Sequence, residues 1–327
     1  MHTFGYEDKS RDSPRSYKAC ARQGFGFLLL SQRIRLTAEA MTYSPRSGSA
    51  ARPAEARDAA PQESPLPASG AATQPSAPLP VSPIWPLTSG AYRVRFAETR
   101  QDLEAVFRLR FLVFNLELQE GLESSYEHGR DTDPFDAVCD HLIVEHGSTR
   151  EAVGTYRLQC GSVAANHLGY YSAREFDFSP YEPLRHQLIE AGRASIHRNH
   201  RSFEVLTLLW RGIAQYALAR NARYLVGCSS ITSQDTREGS AMYLRLREFL
   251  AEPAFRTVPR DAFAFSIAPD AQASSDVRPP RLLRAYLSIG ARICGPPAID
   301  RDFKTIDFLT LLDLERMPQV VRARFLE

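Results

Sequence analysis

The stretch LIEAGRASIHRNHRSFEVLTLLWRGIAQY, Leu188 to Tyr216, decides the fold. Its first part, Leu188 to His197, reads as a buried strand carrying two charges, Glu190 and Arg193, among apolar and small neighbours. His197 to Ser202 is a short basic and polar turn. Phe203 to Arg220 has the spacing of an amphipathic helix, with Ser202 as its N-cap. Tyr224 to Ile231 (YLVGCSSI) is a second buried strand directly after it. Strand, helix and strand in this order form a crossover. A strand that delivers a carboxylate beside a helix N-terminus is a place where acyl-transfer chemistry can be done.

Upstream, Tyr92, Val94 and Phe96 alternate with Arg93, Arg95 and Ala97, the period of a half-buried strand. Thr99-x-x-Asp102 reads as a capping box with Asp in place of Glu. Leu103, Val106, Phe107, Leu109, Val113 and Phe114 then follow at helical spacing, and the helix is expected to run to about Glu117. Residues 118–138 are polar and acidic, with turn signals at Gly121, Gly129 and Asp133-Pro134. His141 to Glu145 and Ala152 to Leu158 form a hairpin around Gly147-Ser148. Downstream, helices are expected over Ala241 to Leu250 and Arg281 to Arg292, and a closing strand over Asp307 to Leu314. An antiparallel meander leading into a strand–helix–strand crossover is an α/β architecture, a mixed central sheet flanked by helices. Its chemistry is expected where neighbouring strands splay.

The chain of 327 residues is 43% hydrophobic, enough for a real core. Its 40 basic residues nearly balance 38 acidic ones, so overall charge points to no nucleic-acid partner. Lys occurs only at positions 9, 18 and 304, an Arg bias that weakens any argument from a single Arg. Five Cys without a C-x-x-C pair suit a reducing compartment better than a disulfide framework, and they argue against zinc. No apolar run approaches the roughly 20 residues of a membrane span, and Phe25 to Leu30 is short even for a signal-peptide core. The chain therefore reads as cytoplasmic. Residues 1–90 differ from the rest: Tyr43 to Pro86 is rich in Pro, Ala and Ser, and a disordered leader is expected, with Ile84-Trp85 docking weakly. Met41 is an alternative start. Residues 91–327 are expected to form the folded domain.

Several constellations could carry chemistry. The turn HRNHRS has no glycine, so neither a P-loop nor a dinucleotide fingerprint is present. It offers His197, Arg198, His200 and Arg201 to a single phosphate, or is simply solvated. Glu190 and Arg193 face opposite sides of a flat strand, and a bulge at Gly192 would bring them together. Glu190 then serves either as a base for an attacking amine or as half of a buried ion pair with Arg157 or Arg193. The acidic run Asp131, Asp133, Asp136 and Asp140 lacks the spacing of a Ca²⁺ loop. It reads as an amine-binding cluster or as a solvated loop. No G-x-S-x-G elbow activates Ser229, Ser230 or Cys228.

Nine segments in order resemble the ornithine-acyl carrier protein N-acyltransferase family: RLRFLVFNLEL (108–118), DTDPFD (131–136), CDHLIVEH (139–146), VGTYRL (153–158), YYSAREFDF (170–178), EAGRASIH (190–197), LLWRGIAQY (208–216), YLVGCSS (224–230) and AIDRDFKTIDFL (298–309). They are similar also to the wider autoinducer-synthase-like branch of the GNAT fold. The resemblance spans Tyr92 to Leu314. It implies a GNAT-like acyl-CoA N-acyltransferase fold and an amine that attacks a fatty acyl thioester. The donor is the acyl-phosphopantetheine arm of acyl carrier protein, with no other cofactor and no metal. That donor has no nucleotide pyrophosphate to cradle, which suits the glycine-free turn. The E-x-x-R signature of homoserine lactone synthases falls on Glu190 and Arg193, their early Arg and Phe on Arg110 and Phe114, their acidic pair on Asp133 and Asp136, and the Arg of their R-L strand on Arg157. Leu118-Gln119-Glu120 stands where those synthases carry an aromatic, which points away from them and from S-adenosylmethionine.

The expectation is an N-acyltransferase acting on the α-amine of an amino acid, ornithine first, in ornithine lipid synthesis. Glu190 is the base or holds the base water, and Arg193 and Arg157 hold the acidic network. Asp133 and Asp136 bind the acceptor's ammonium or order the loop over it. A backbone N–H at a splay after Ser195 polarises the thioester carbonyl. Phe111, Phe114, Leu206 and Trp210 wall an acyl tunnel, Arg198 and Arg201 dock the acidic carrier protein, and the lipid product allows peripheral membrane contact. The alternatives are an N-acyl amino acid or homoserine-lactone-type synthase with another acceptor, and a non-catalytic module that binds acyl carrier protein or lipid.

Overall fold

Hydrophobic alternation in the Leu188 stretch and its neighbours produces one nine-stranded sheet among residues 85–272 and 277–326, which the computed structural model describes. Cys20, Phe25 to Leu30, Met41 and the Pro/Ala/Ser-rich run through Ile84 lie outside the described residues. The strands are β1 (Leu87–Ser89), β2 (Tyr92–Phe96), β3 (Asp140–His146), β4 (Ala152–Cys160), β5 (Leu188–Ile196), β6 (Tyr224–Ile231), β7 (Arg292–Ile293), β8 (Ala298–Asp300) and β9 (Thr305–Asp313). The sheet order is β1-β2-β3-β4-β5-β6-β9-β7, with β8 also on β9. β1 to β5 form the antiparallel meander and β5–β6 is the parallel pair. The sheet starts before Tyr92: β1 pairs with β2, and Trp85 packs on Phe96 at 5.0 Å between ring centroids.

The helices are α1 (Arg100–Phe111), α2 (Gly161–Asn166), α3 (Phe203–Ala219), α4 (Thr236–Leu246), α5 (Arg281–Ser288) and α6 (Gln319–Phe325). α1 opens on the expected capping box: the Thr99 side chain accepts from Asp102 N–H, and the Asp102 carboxylate accepts from Thr99 N–H. Its α-turns end at Phe111, and the chain continues as a π-helix over Leu112–Leu118. Ser202 caps α3 by accepting from Val205 N–H at 3.3 Å.

Strand alternation gives the sheet two unlike faces. Leu142, Val144, Tyr156, Leu158 and Ile189 pack with Val205, Leu208, Leu209 and Ile213 of α3 in one apolar core. Gly154 and Gly212 allow this approach, since a Cβ on either would come within 3.4 Å of Val205, Val144 or Leu142 side chains. His141, Arg157 and Glu190 point to the opposite face, against which α1 packs. That face is buried yet charged, and it carries the site.

Candidate active site

β5 and β6 pair only through Leu188–Tyr224, Ile189–Leu225 and Glu190–Val226. The strands part after Glu190, not after Ser195. Gly227 lets them begin so close, because a Cβ there would lie 2.2 Å from the Ala191 carbonyl oxygen. On the other side β5 pairs with β4, where Arg157 opposes Gly192 and Thr155 opposes Ser195. Two steps along β4 therefore match three along β5, and the extra residue is a β-bulge. The left-handed position within it is Arg193, at φ 51°, rather than Gly192. The bulge turns Arg193 onto the cavity that Glu190 lines.

That cavity, about 330 Å³, sits where the strands part. Phe114, Arg157, Tyr171, Glu190, Arg193 and Phe303 are among its walls. A smaller apolar pocket of about 80 Å³ adjoins it, walled by Trp210, Ala214, Leu225, Leu312, Met317 and Phe325. Both share Tyr156, Ala191, Cys228 and Tyr286. Of the residues expected to wall an acyl tunnel, Phe114 lines the larger space and Trp210 the smaller; Phe111 and Leu206 line neither.

Glu190 is 5% exposed, and its two oxygens accept the backbone N–H groups of Tyr171 and Ser172, each at 2.7 Å. Burial pushes its carboxyl above the usual range, against the opposing pull of those N–H groups and Arg157. It makes no ion pair with Arg193, whose guanidinium turns instead to Asp133 at 2.8 Å and Asp131 at 3.5 Å. The rings of Tyr171 and Phe303 lie 4.8 and 4.5 Å from it, one cation–π contact each.

Behind Arg193 runs a buried network of three arginines and three aspartates. Arg110, fully buried on α1, donates to Asp131 at 2.8 Å and bidentately to Asp136 at 2.6 and 3.1 Å. Arg157 on β4 donates to Asp133 at 2.7 Å and Asp136 at 3.0 Å. Asp133 and Asp136 also cap their own turn reciprocally, which fixes the loop on the network. Burial pushes both carboxyls up, but Arg157 and Arg193 beside Asp133, and Arg110 and Arg157 beside Asp136, outweigh it and hold both below the usual range. Burial lowers His141, next to Asp136, to about 4, so it stays neutral. Asp133, Asp136 and Arg110 do not line the cavity; Arg157 and Arg193 do.

The turn 197–202 lies at the far end of β5. Arg198 is exposed, whereas Arg201 makes a bidentate ion pair with Glu117 at 2.5 and 2.8 Å. Sequence reasoning passed over a second carboxylate group on the cavity wall: Glu120, Glu175, Asp300 and Asp307. Asp307 had a visible signal, a carboxylate at the head of the apolar run DFLTLLDL, an oddity like that of Glu190.

The Acetyltransferase (GNAT) domain family matches residues 109–211, from α1 through the middle of α3. The L-ornithine N(alpha)-acyltransferase of Rhodobacter capsulatus is 30% identical over 240 residues, covering 70% of this chain and 92% of that protein. The protein of that name from Brucella abortus is 31% identical over 248 residues, covering 70% and 86%. The solved structure of the AHL synthase LasI is a distant likeness, with a TM-score of 0.43 at 13% identity over 72% of this chain and 94% of that one. The fold is that of a GNAT enzyme, and the chain belongs to the L-ornithine Nα-acyltransferase family.

Proposed function

We propose that this protein transfers a fatty acyl group from the phosphopantetheine thioester of acyl carrier protein to the α-amine of ornithine, in ornithine lipid synthesis. The observation that carries the reading is the position of Glu190. It is a buried carboxylate at the last paired residue before β5 and β6 part, facing a cavity lined by both charged and apolar side chains that adjoins an apolar pocket.

The thioester arm enters between the parted strands, with its acyl chain in the apolar pocket and the acceptor in the larger cavity. Glu190, directly or through a water, takes a proton from the α-ammonium, and burial, which raises its carboxyl, makes it a stronger base for that task. The amine nitrogen attacks the carbonyl carbon, the C–N bond forms, and the C–S bond breaks. The pantetheine thiolate leaves and takes up a proton. A backbone N–H on the β5 edge beyond Glu190 polarises the carbonyl oxygen, in a stretch where no β6 partner competes for it. Arg157 and Arg193 supply positive charge for the acceptor's carboxylate, and Asp131, Asp133 and Asp136 hold both guanidiniums in place.

No helix among the described residues is long and apolar enough to cross a membrane. A cytoplasmic enzyme that meets the membrane through its product fits that observation. The leader expected over residues 1–90 then ends before β1, because Leu87–Ser89 belongs to the sheet. Arg198, exposed beside the entrance to α3, is the better candidate for docking the acidic carrier, since Arg201 is already paired. The test is reconstitution of purified protein with acyl and 3-hydroxyacyl carrier proteins and ornithine, read by mass spectrometry. Nα-acylornithine is expected, with a Michaelis constant for the carrier that rises with salt and with Arg198→Glu. Acylation of a different amine alone, or no product, would overturn the reading, and a salt-independent constant would remove Arg198 from docking.

A further inference from the structure

The two carboxylate groups around the cavity differ in one respect. Asp131, Asp133 and Asp136 each meet an arginine. Among the described residues, Glu120, Glu175, Asp300 and Asp307 make no ion pair with Arg, Lys or His, although all four line the same cavity as Glu190. Glu175 and Asp307 are 2% and 5% exposed, so water does not balance their charge. Asp307 Oδ1 has no hydrogen-bond partner, which is a costly state for a buried carboxylate oxygen. The nearest atoms of Glu175, Asp307 and Cys228 lie within 4.8 Å of one another, a concave set of acceptors. The connection to Glu190 is short: the Cys228 thiol donates to Ser172 Oγ at 3.4 Å, and Ser172 N–H donates to Glu190.

We infer that Glu175 and Asp307, flanked by Asp300 and Glu120, form the subsite for the side-chain ammonium of a diamino acid and select such acceptors over neutral ones. The inference rests on the proposed acyl transfer to ornithine and adds the element that reads the acceptor's side chain. A primary ammonium has three N–H donors and one positive charge, which matches an unpartnered Oδ1 and a carboxylate pair lacking a cation. Burial, with the charge of Asp307 beside Glu175 and of Asp300 beside Asp307, pushes both carboxyls up in the free protein, so an arriving cation relieves an unfavourable arrangement. The same cavity therefore offers Arg157 and Arg193 to the acceptor's carboxylate and the unpaired acids to its side chain.

The experiment compares kcat/KM for ornithine and for norvaline, which has the same carbon chain without the side-chain amine, in the full-length protein and in Asp307→Asn and Glu175→Gln. Wild type is expected to favour ornithine by about 10³-fold or more, because norvaline leaves buried polar groups unmatched. Each variant is expected to reduce that preference at least tenfold, mainly through KM for ornithine. Expressing each variant's ornithine rate relative to its own norvaline rate removes losses from misfolding. An unchanged preference in both variants overturns the inference. Equal wild-type rates on ornithine and norvaline overturn it while leaving acyl transfer standing. Absence of any acylated amino acid overturns the parent reading, and this one with it. Stoichiometric divalent metal in the purified protein, lost in Asp307→Asn, overturns it in favour of a metal ion held by Glu175, Cys228 and Asp307.

Discussion

Arg110 has no solvent exposure and makes the shortest contacts to Asp131 and Asp136, which Arg193 and Arg157 meet at 3.5 and 3.0 Å. Replacing it with Met leaves three buried aspartates with two arginines, one cation short. Breaking one side of such a buried group costs about 3–5 kcal/mol. Urea unfolding of Arg110→Met is expected to show a loss of that size at pH 7, and a loss near zero would deny the network its anchoring role. The sign of its pH dependence follows from the lowered carboxyls of Asp133 and Asp136. Their contribution is present above the unfolded carboxylate pKa of about 4 and is lost as pH falls through their lower folded values. Wild type therefore keeps it at pH 4, and the variant's deficit shrinks only in stronger acid. Arg193 holds a left-handed φ of 51°, a conformation that costs a non-glycine residue about 1–2 kcal/mol. Two aspartates and two aromatic rings hold the guanidinium that this strained backbone presents. Glu190 and Arg193 were visible as charges in an apolar strand. That Arg193 holds the acidic 131–133 loop followed from the family resemblance and not from spacing, because Arg193 and Asp133 lie 60 residues apart.

At the scale of elements, the parting of β5 from β6 sets the site. Long elements were legible in the sequence. β2 and β6 have the boundaries their apolar runs imply, and α3 ends at Ala219, one turn-forming stretch before β6. β7 and β8 were not legible, because two or three residues give no alternation to read. The expected helix over Ala241 to Leu250 begins earlier, at Thr236, where Asp235 caps it by accepting from Arg237 N–H. Glycine tolerates a left-handed backbone most easily, so the sequence points to Gly192 for the bulge, whereas the left-handed position is Arg193. α3 also supplies Trp210 and Ala214 to the apolar pocket. Ala214→Leu adds volume there, and excluding two methylenes of an acyl chain costs about 1.6 kcal/mol. The ratio of kcat/KM for long over short acyl donors is expected to fall by roughly tenfold. An unchanged chain-length profile in a folded variant would place the acyl chain elsewhere.

For the whole molecule, a charged face of the sheet is buried under α1 while the opposite face builds an ordinary core against α3. This division lets one domain hold a stable fold and a cleft of uncompensated charge. The acids at Glu175 and Asp307 stayed hidden in the sequence because they come from segments far apart in the chain and meet only in the fold. The central claim is that Glu190 handles the proton of the attacking amine. The most direct test is the pH profile of kcat/KM in wild type and Glu190→Gln, with ornithine and an acyl carrier protein donor. A base must be ionised, and burial raises the Glu190 carboxyl, so wild-type activity should fall on the acid side at a pH above the ordinary carboxylate range. Glu190→Gln is expected to lower kcat/KM by about 10²-fold or more and to abolish that acid limb. A folded Glu190→Gln variant that keeps both its rate and its acid limb would contradict the account.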